Sequence, residues 1–297
     1  MSGLIFKKRL QAFPKPLQAI ALLALMLIGF STPLHADTAP SPIRFLLTFD
    51  DGPSGSTKRN PTELILDVLA ENSVQSGIKA IFFVETRATS RGGAEAGQLL
   101  MRRQQADGHL LAFHTSTSYH SNHRFMKPEE LELTLKNGVE DLIAVSGVIP
   151  QLVRPPFWNY DARTLDSYHR HGLQMLLTDL SANDGVIWGI NWNWHKRDDL
   201  LQHLRTTKVN WALGKMPSID GVTPIIVTFH DVNRRTARNL EAYLNMLLEV
   251  AAELDIPVAA KPFYDNRAEL EYAALVRSVR DTSDMPALPG IWNWMWQ

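Results

Sequence analysis

Short apolar runs alternate with longer segments of helical periodicity along most of the chain. Apolar runs of this length, bounded by turn residues, are typical of buried strands. The predicted strands are Arg44–Phe49, Lys79–Val84, Leu110–Phe113, Gln151–Val153, Gln174–Thr178, Pro224–Phe229 and Ile256–Ala260. The predicted helices are Pro61–Glu71, Ala94–Ala106, Pro128–Val145, Asp161–His171, Asp198–Asn210 and Arg235–Leu254. This alternation indicates a mostly parallel sheet joined by crossover helices.

Seven predicted strands that alternate with helices favour an α/β fold, a distorted (β/α) barrel with about seven parallel strands. An open doubly wound sheet is the alternative, but no glycine-rich phosphate loop follows the first strand. Three parts are expected along the chain. They are an N-terminal segment over residues 1–36, the barrel domain over 37–265, and a C-terminal helix with a Trp-rich tail over 266–297.

The N-terminal segment has the layout of a secretory signal peptide. Basic residues at positions 7–9 precede an apolar stretch over residues 17–30, and small or polar residues lead to Ala36. The apolar stretch is shorter than the roughly 20 residues that a membrane-spanning helix needs. We therefore expect cleavage after Ala36, export to the periplasm or the medium, and no stable membrane anchor, in preference to a retained anchor.

Charge and cysteine content narrow the classes of partner. Removing the four basic residues of the first 36 from the 30 of the whole chain leaves 26 against 31 acidic residues, a net charge of −5. This balance argues against nucleic acid as a partner. The chain has no cysteine, so an exported protein of this length must rely on its core rather than on disulfides.

Two adjacent carboxylates, Asp50 and Asp51, follow the first predicted strand in the run Thr-Phe-Asp-Asp-Gly-Pro over residues 48–53. Two like charges held close together resist joint ionisation, and a bound cation is the usual reason for such a pair. The alternative is an ordinary turn, because Asp-Asp-Gly-Pro is also common turn chemistry.

Other polar side chains follow four further predicted strands. Active sites of βα-barrels lie on the loops after the carboxyl ends of the strands. The residues in these positions are His114 with His120 and His123, Arg154, Asp179 with Asp184, and His230. Each one alone has a structural explanation, such as a turn or a rim charge. Their joint placement at strand ends favours a catalytic site.

These segments resemble the polysaccharide deacetylases with the NodB-homology domain, from about residue 43 to residue 262. The run over residues 48–53 is similar to the first motif of that family without change. The resemblance implies that Asp50 is the catalytic base and that Asp51 is a metal ligand. It also implies that residues 37–265 form the catalytic domain.

The second family motif has two ligand histidines four residues apart. This chain has His114 but carries Ser118 at the second position, and the next histidine is His120. The Pro-Glu-Glu run over residues 128–130 lies eight residues after His120, which is the typical spacing in the family. We therefore expect a two-residue insertion, with His114 and His120 as ligands. His123 is expected to lie in the loop or near substrate, and a ligand role for it stays open.

The remaining motifs carry substitutions. The Arg-Pro-Pro-Phe run over residues 154–157 resembles the third motif with Phe157 in place of tyrosine, and its backbone N–H is the implied donor to the oxyanion. Asp179 and Asp184, five residues apart, resemble the fourth motif, and Gly185 replaces the tryptophan that usually follows its second aspartate. His230 resembles the histidine of the fifth motif.

The resemblance implies a division of roles around the metal. Arg154 orients Asp50, and His230 protonates the leaving amine while Asp184 holds the tautomer of His230. The family's tryptophan forms one wall of the pocket, and Trp188 is expected to take its place because position 185 is glycine. The candidate substrate contacts are His123, Trp158 and Trp188.

One carboxylate and two imidazoles with open positions suit Zn²⁺, although Co²⁺, Ni²⁺ or Fe²⁺ also fits such a set. The same donors describe a non-haem iron triad, so the ligands alone do not determine the reaction. The resemblance implies hydrolysis of N-acetyl groups on N-acetylhexosamine units of a glycan, such as peptidoglycan, an exported N-acetylglucosamine polymer or a chitin-type oligomer. Two alternatives stay open, an O-acetyl esterase on the same scaffold and a non-catalytic glycan-binding protein that retains the fold.

Overall fold

The computed structural model describes residues 40–185, 195–281 and 288–289. Within these ranges the strands are β1 (Ile43–Gly52), β2 (Ile81–Glu85), β3 (Leu110–Thr115), β4 (Leu152–Val153), β5 (Gln174–Met175), β6 (Leu180–Ser181), β7 (Thr223–His230) and β8 (Val258–Phe263). The α-helices are α1 (Pro61–Ala70), α2 (Glu95–Ala106), α3 (Pro128–Ser146), α4 (Ala162–Arg170), α5 (Lys196–Ala212), α6 (Arg234–Glu253) and α7 (Arg267–Val276). Short 3₁₀ turns span His123–Phe125 and Pro156–Trp158. The predicted signal peptide and Trp188 lie outside the described residues.

The strands form one sheet in the order β5-β4-β3-β2-β1-β7-β6, with β8 paired to β1 beside this path. Each pairing between these strands is parallel. The seven strands of the main path form a half-barrel with helices, which confirms the predicted α/β barrel fold. Because the strands are parallel, their carboxyl ends meet at one end of the sheet.

The central strand β1 is buried on both faces. Phe45, Leu47 and Phe49 lie on one face and pack in the larger hydrophobic cluster, which includes residues of α1 and α6. Leu46 lies on the other face and packs in a second cluster with Phe83 of β2. Strands covered on both sides appear in a sequence as continuous apolar runs, which is why β1 was predictable from its pattern.

Helix α7 contributes to the same core. Its residues Leu270 and Ala273 are fully buried in the second cluster, together with Leu152 of β4 and Ile226 of β7. The helix begins after Asn266, whose side chain accepts hydrogen bonds from the first-turn amides and caps the helix. No helix in the described ranges combines the length and apolar character needed to cross a bilayer.

The predicted strand Gln174–Thr178 is wrong in its extent, because β5 ends at Met175 and a separate strand, β6, follows at Leu180. The side chain of Arg154 explains the interruption. Its Nε donates to the carbonyl oxygen of Leu176 at 3.0 Å, and its Nη2 donates to that of Leu177 at 3.0 Å. These two carbonyl groups are thus bonded to a guanidinium rather than to a neighbouring strand.

Candidate active site

The structure places the predicted site residues at the carboxyl end of the half-barrel. Hydrogen bonds and short contacts link Asp50, Asp51, His114, His120, Arg154, Asp184 and His230. Strand β1 extends to Gly52, so the two aspartates lie on the last part of the strand rather than in the turn after it.

The local backbone of β1 aims its two adjacent carboxylates at different partners within one site. The register between β1 and β2 shifts between Phe49 and Gly52, and Asp51 has a φ of 68°. A positive φ is uncommon for a residue other than glycine and occurs where surrounding structure imposes it. The next position, 52, must be glycine, because a Cβ there would lie 2.0 Å from Oδ1 of Asp231.

Asp51, His114 and His120 form a cluster with the donor chemistry of a metal site. Oδ1 of Asp51 lies 3.1 Å from Nε2 of His114 and 3.6 Å from Nδ1 of His120. One potential ligand atom from each residue lies within 4.8 Å of the other two. One carboxylate and two imidazoles suit Zn²⁺ and other borderline divalent cations.

The hydrogen bonds of His114 also fit a cation. Its Nδ1 lies 2.8 Å from the carbonyl oxygen of Arg154, which can only accept, so Nδ1 carries a proton. In the neutral ring, Nε2 then presents a lone pair toward the carboxylate of Asp51. Two acceptors that face each other at this distance need a positive species between them or a second proton on the ring, and a divalent cation provides the first.

Charges around Asp51 favour its ionised form. Burial alone would raise the pKa of Asp51, but the positive charge of His120, the hydrogen bond with His114 and the charge of His230 hold it well below its usual range. Burial likewise disfavours charged His120, yet the carboxylates of Asp51 and Glu85 raise the pKa of His120 above its usual value.

Glu85 is a site residue that the sequence reasoning missed. It is the last residue of β2 and is buried, and its Oε1 lies 2.6 Å from Nδ1 of His120. The predicted strand ends at Val84, so Glu85 directly follows a predicted strand as the other site residues do, yet the prediction does not include it. A charged side chain directly after an apolar strand, at the active end, was the available signal.

Arg154 and Asp50 form a buried ion pair. Nη1 of Arg154 donates to Oδ1 of Asp50 at 2.7 Å and to Oγ1 of Thr48 at 2.7 Å, and the side chain of Arg154 is 0% exposed. The guanidinium also lies 4.1 Å from the ring centroid of Phe83 and 4.9 Å from that of Trp158. Burial lowers the pKa of Arg154, and the charge of Asp50 opposes this shift.

His230 and Asp184 form a second buried pair. Nδ1 of His230 lies 2.8 Å from Oδ1 of Asp184, whose Oδ2 accepts from the backbone N–H of His230 and from the hydroxyl of Thr236. Burial favours the neutral imidazole, but the charge and hydrogen bond of Asp184 outweigh it and raise the pKa of His230 to about 10. Nε2 of His230 points toward the cluster of Asp51, His114 and His120, and it lies 3.9 Å from Oδ2 of Asp51.

Two of the predicted substrate contacts, His123 and Trp158, lie in the described part of the chain, and their placement differs from the expectation. His123 is 0% exposed, and its Nδ1 lies 2.9 Å from the hydroxyl of Tyr168, so its placement does not support contact with substrate. Its ring stacks on Phe113, and burial lowers the pKa of His123 to about 3. Trp158 is also buried and packs against Arg154, which gives it a supporting position instead.

Phe157 contacts the site, whereas Asp179 lies outside it. Phe157 has a φ of 60°, is partly exposed, and presents its ring at an edge-on angle to His120 with 4.3 Å between the centroids. Asp179 does not join the site, because its carboxylate binds Arg277 and the backbone N–H of Ile226.

Asp231 is a buried acidic residue beside His230 that the sequence analysis does not single out. It follows His230 directly and is fully buried, where its Oδ2 accepts from the hydroxyl of Thr62 at 2.9 Å. Burial raises the pKa of Asp231 to about 7. An acidic residue next to a strand-end histidine was the signal in the sequence.

Residues 38–176 match a protein-family model described as polysaccharide deacetylase. A chitin deacetylase of Colletotrichum lindemuthianum is 26% identical to this chain over 213 residues, which covers 72% of this chain and 76% of that protein.

Solved structures show the same fold. The chitin deacetylase structure from the fungal pathogen Colletotrichum lindemuthianum is 24% identical, with a TM-score of 0.52, and the match covers 74% of this chain and 86% of that one. A family 4 carbohydrate esterase from Streptomyces lividans, in complex with acetate, is 20% identical with a TM-score of 0.50, and the match covers 75% of this chain and 95% of that one.

Proposed function

We propose that this chain is a metal-dependent enzyme of the polysaccharide deacetylase family and that it removes N-acetyl groups from N-acetylhexosamine units of a glycan. A polymer or oligomer of N-acetylglucosamine is the proposed substrate class, in line with the chitin deacetylase that this chain resembles. The observation that carries the proposal is the placement of two buried acid–base pairs beside one cluster of Asp51, His114 and His120.

Asp51, His114 and His120 would hold the cation, most simply Zn²⁺. A divalent cation in such a site supplies Lewis acidity toward a carbonyl oxygen and toward water. Two of the three side chains keep part of their surface open to solvent, Asp51 at 22% and His120 at 27%, which leaves room for substrate and water.

Asp50 is the proposed general base. Asp50 is adjacent to Asp51 in β1, and Arg154 orients its carboxylate through the 2.7 Å hydrogen bond. A base must be held at the proton that it accepts, and a buried guanidinium restricts the carboxylate to one orientation. Asp50 would accept a proton from the attacking water.

His230 is the proposed general acid. An amine leaves an acyl centre only with a proton, and Nε2 of His230 is the nitrogen that faces the cluster. Asp184 accepts from Nδ1–H and thereby keeps the second proton at Nε2, where it is useful for the leaving nitrogen. The backbone N–H of Phe157 is the proposed donor to the oxyanion, consistent with the unusual backbone at that residue.

Acetate release from N-acetylglucosamine oligomers tests this function. We expect release by the purified protein, loss of release after chelation, and recovery on addition of Zn²⁺, Co²⁺ or Ni²⁺. An O-acetylated xylan substrate measured in parallel distinguishes an esterase, because an alkoxide leaves more easily than an amine and depends less on His230. Sugar binding with no acetate release under any added metal would contradict the proposal and favour a glycan-binding protein.

Export is part of the proposed function, because a glycan substrate of this class lies outside the cytoplasm. The basic and apolar layout of the first 36 residues supports it. N-terminal sequencing of the protein recovered from the envelope or medium should begin at Asp37. Recovery of the uncleaved chain from the cytoplasm would contradict export without affecting the proposed chemistry.

A further inference from the structure

We propose that Glu85 is a positioning residue that holds His120 in place for the cation and thereby sets the metal affinity of the site. The inference rests on the proposed metal site and adds a residue to it. It starts from a difference in how the three ligand residues are held.

Two of the three ligand residues lie within strands. Asp51 is part of β1 and His114 is part of β3, so hydrogen-bonded ladders with neighbouring strands determine their backbone positions. His120 lies in the loop between β3 and the 3₁₀ turn at His123. The loop runs over the surface, where Tyr119 is 69% exposed. Loop segments of this kind have more conformational freedom than the strands that they follow.

Glu85 connects this loop to the sheet. It ends β2, which lies between β1 and β3, and it is in register with Thr115, the residue after His114. Its carboxylate therefore emerges beside two of the ligand-bearing strands. The 2.6 Å contact between Oε1 of Glu85 and Nδ1 of His120 is a direct bond from a strand to the loop ligand.

The contact between Glu85 and His120 restrains both the position of His120 and the orientation of its imidazole ring. The carboxylate of Glu85 accepts a hydrogen bond from Nδ1 of His120, the same nitrogen that lies 3.6 Å from Oδ1 of Asp51. A neutral ring with its proton on Nδ1 carries its lone pair on Nε2, so Nε2 is the ligand atom in this proposal. The edge-on ring of Phe157 limits the imidazole from another direction. A ligand that is ordered before the cation arrives does not lose that freedom on binding, so the affinity is higher.

The burial of Glu85 supports a specific role. Its side chain is 4% exposed, and a buried carboxylate is costly unless it is bonded. His120 is the one side-chain partner of Glu85 among the hydrogen bonds of the described residues. A residue that served only the core would be apolar at this position, as Val84 and Phe83 are.

Zinc affinity, measured by competition with a chromophoric chelator in the absence of substrate, tests the proposal. We expect Glu85→Ala to weaken zinc binding by about 10- to 100-fold, the range found when carboxylate partners of metal-bound histidines are removed. Glu85→Gln should lose less, because its amide oxygen can still accept from Nδ1–H. The matched control is Glu129→Ala, on the exposed first turn of α3, which should leave zinc affinity unchanged.

A double-mutant cycle separates action through His120 from a general effect of charge. In a His120→Ala background, Glu85→Ala should cause no further loss of zinc affinity, whereas in a His114→Ala background it should keep its effect. Thermal melts of each variant check folding, and the isosteric Glu85→Gln keeps the test valid if Glu85→Ala is unstable. The proposal is overturned if Glu85→Ala changes zinc affinity by less than twofold, or if its full effect persists without His120. Zinc binding by the unaltered protein without acetate release would instead contradict the proposed function alone.

Discussion

The acid–base side of the site and its cation side are held in different ways. Asp50 and His230 each form a buried pair, with Arg154 and Asp184, and these partners are 0% exposed. The cation side is more open, and His120 reaches it from a loop. The comparison indicates that the proposed proton-transfer groups are fixed by buried partners, whereas two of the three proposed cation ligands, Asp51 and His120, lie on the side that is more open to solvent.

The largest effect is expected at the buried pair on the acid–base side. Arg154→Met should lower the free energy of unfolding by about 3–5 kcal/mol, because it leaves the Asp50 carboxylate buried without its partner. Urea unfolding of metal-free protein measures this loss. Arg102→Met, at an exposed position of α2, is the matched control and should change the free energy of unfolding little. A loss below about 1 kcal/mol at Arg154 would mean that the pair is not structural.

Catalysis should separate the two sides next. His230→Ala should lower kcat for N-acetyl hydrolysis by about 10²- to 10⁴-fold, since it removes the proton for the leaving amine. Zinc affinity should change much less, because His230 is not in the cation cluster. Parallel measurements of kcat and zinc binding check both statements. Equal losses in both would place His230 among the metal ligands.

His120 and His123 are three residues apart and lie in opposite environments. His120→Ala should abolish zinc retention during gel filtration, whereas His123→Phe should retain zinc, because the ring of His123 is buried against Phe113 and Tyr168. Metal content per chain measures the difference. Zinc loss in the His123 variant with retention in the His120 variant would reverse the assignment of the loop.

The smallest effect concerns pH. The pKa of His123 is about 3 in the folded protein against 6.5 when exposed, so the unfolded chain binds a proton that the folded chain excludes. The stabilising contribution of neutral His123 is therefore complete above pH 6.5 and is lost as pH falls toward 3.

We expect metal-free protein to lose about 2 kcal/mol at pH 5, relative to pH 7, through His123 alone. The His123→Phe variant should lack this part of the acid sensitivity when urea unfolding is compared at the two pH values. Identical pH dependence in both proteins would show that His123 is protonated in the folded state.

The sequence predicted the fold, and it predicted which strand ends carry the polar residues that the structure brings together, because both depend on local pattern. Buried parallel strands appear as apolar runs, and polar residues after them lie at the active end. The split between β5 and β6 could not be predicted, since it depends on hydrogen bonds from Arg154, about twenty residues away in the chain.

The directions of side chains in loops could not be predicted from the sequence either. Spacing identified His120 and His123 as loop residues, but the burial of His123 depends on Tyr168, 45 residues further along. The reach of Glu85 to His120 is likewise a contact between distant segments, 35 residues apart. Tertiary packing determines such contacts, and periodicity and motif spacing carry no information about it.

Anomalous diffraction from a crystal grown with zinc is the decisive test of the proposed metal site. We expect one zinc peak bonded to Asp51, His114 and His120, at the roughly 2.0–2.2 Å typical of zinc with nitrogen and oxygen ligands. A zinc-soaked crystal with no peak at this position, and with the three side chains pointing apart, would contradict it.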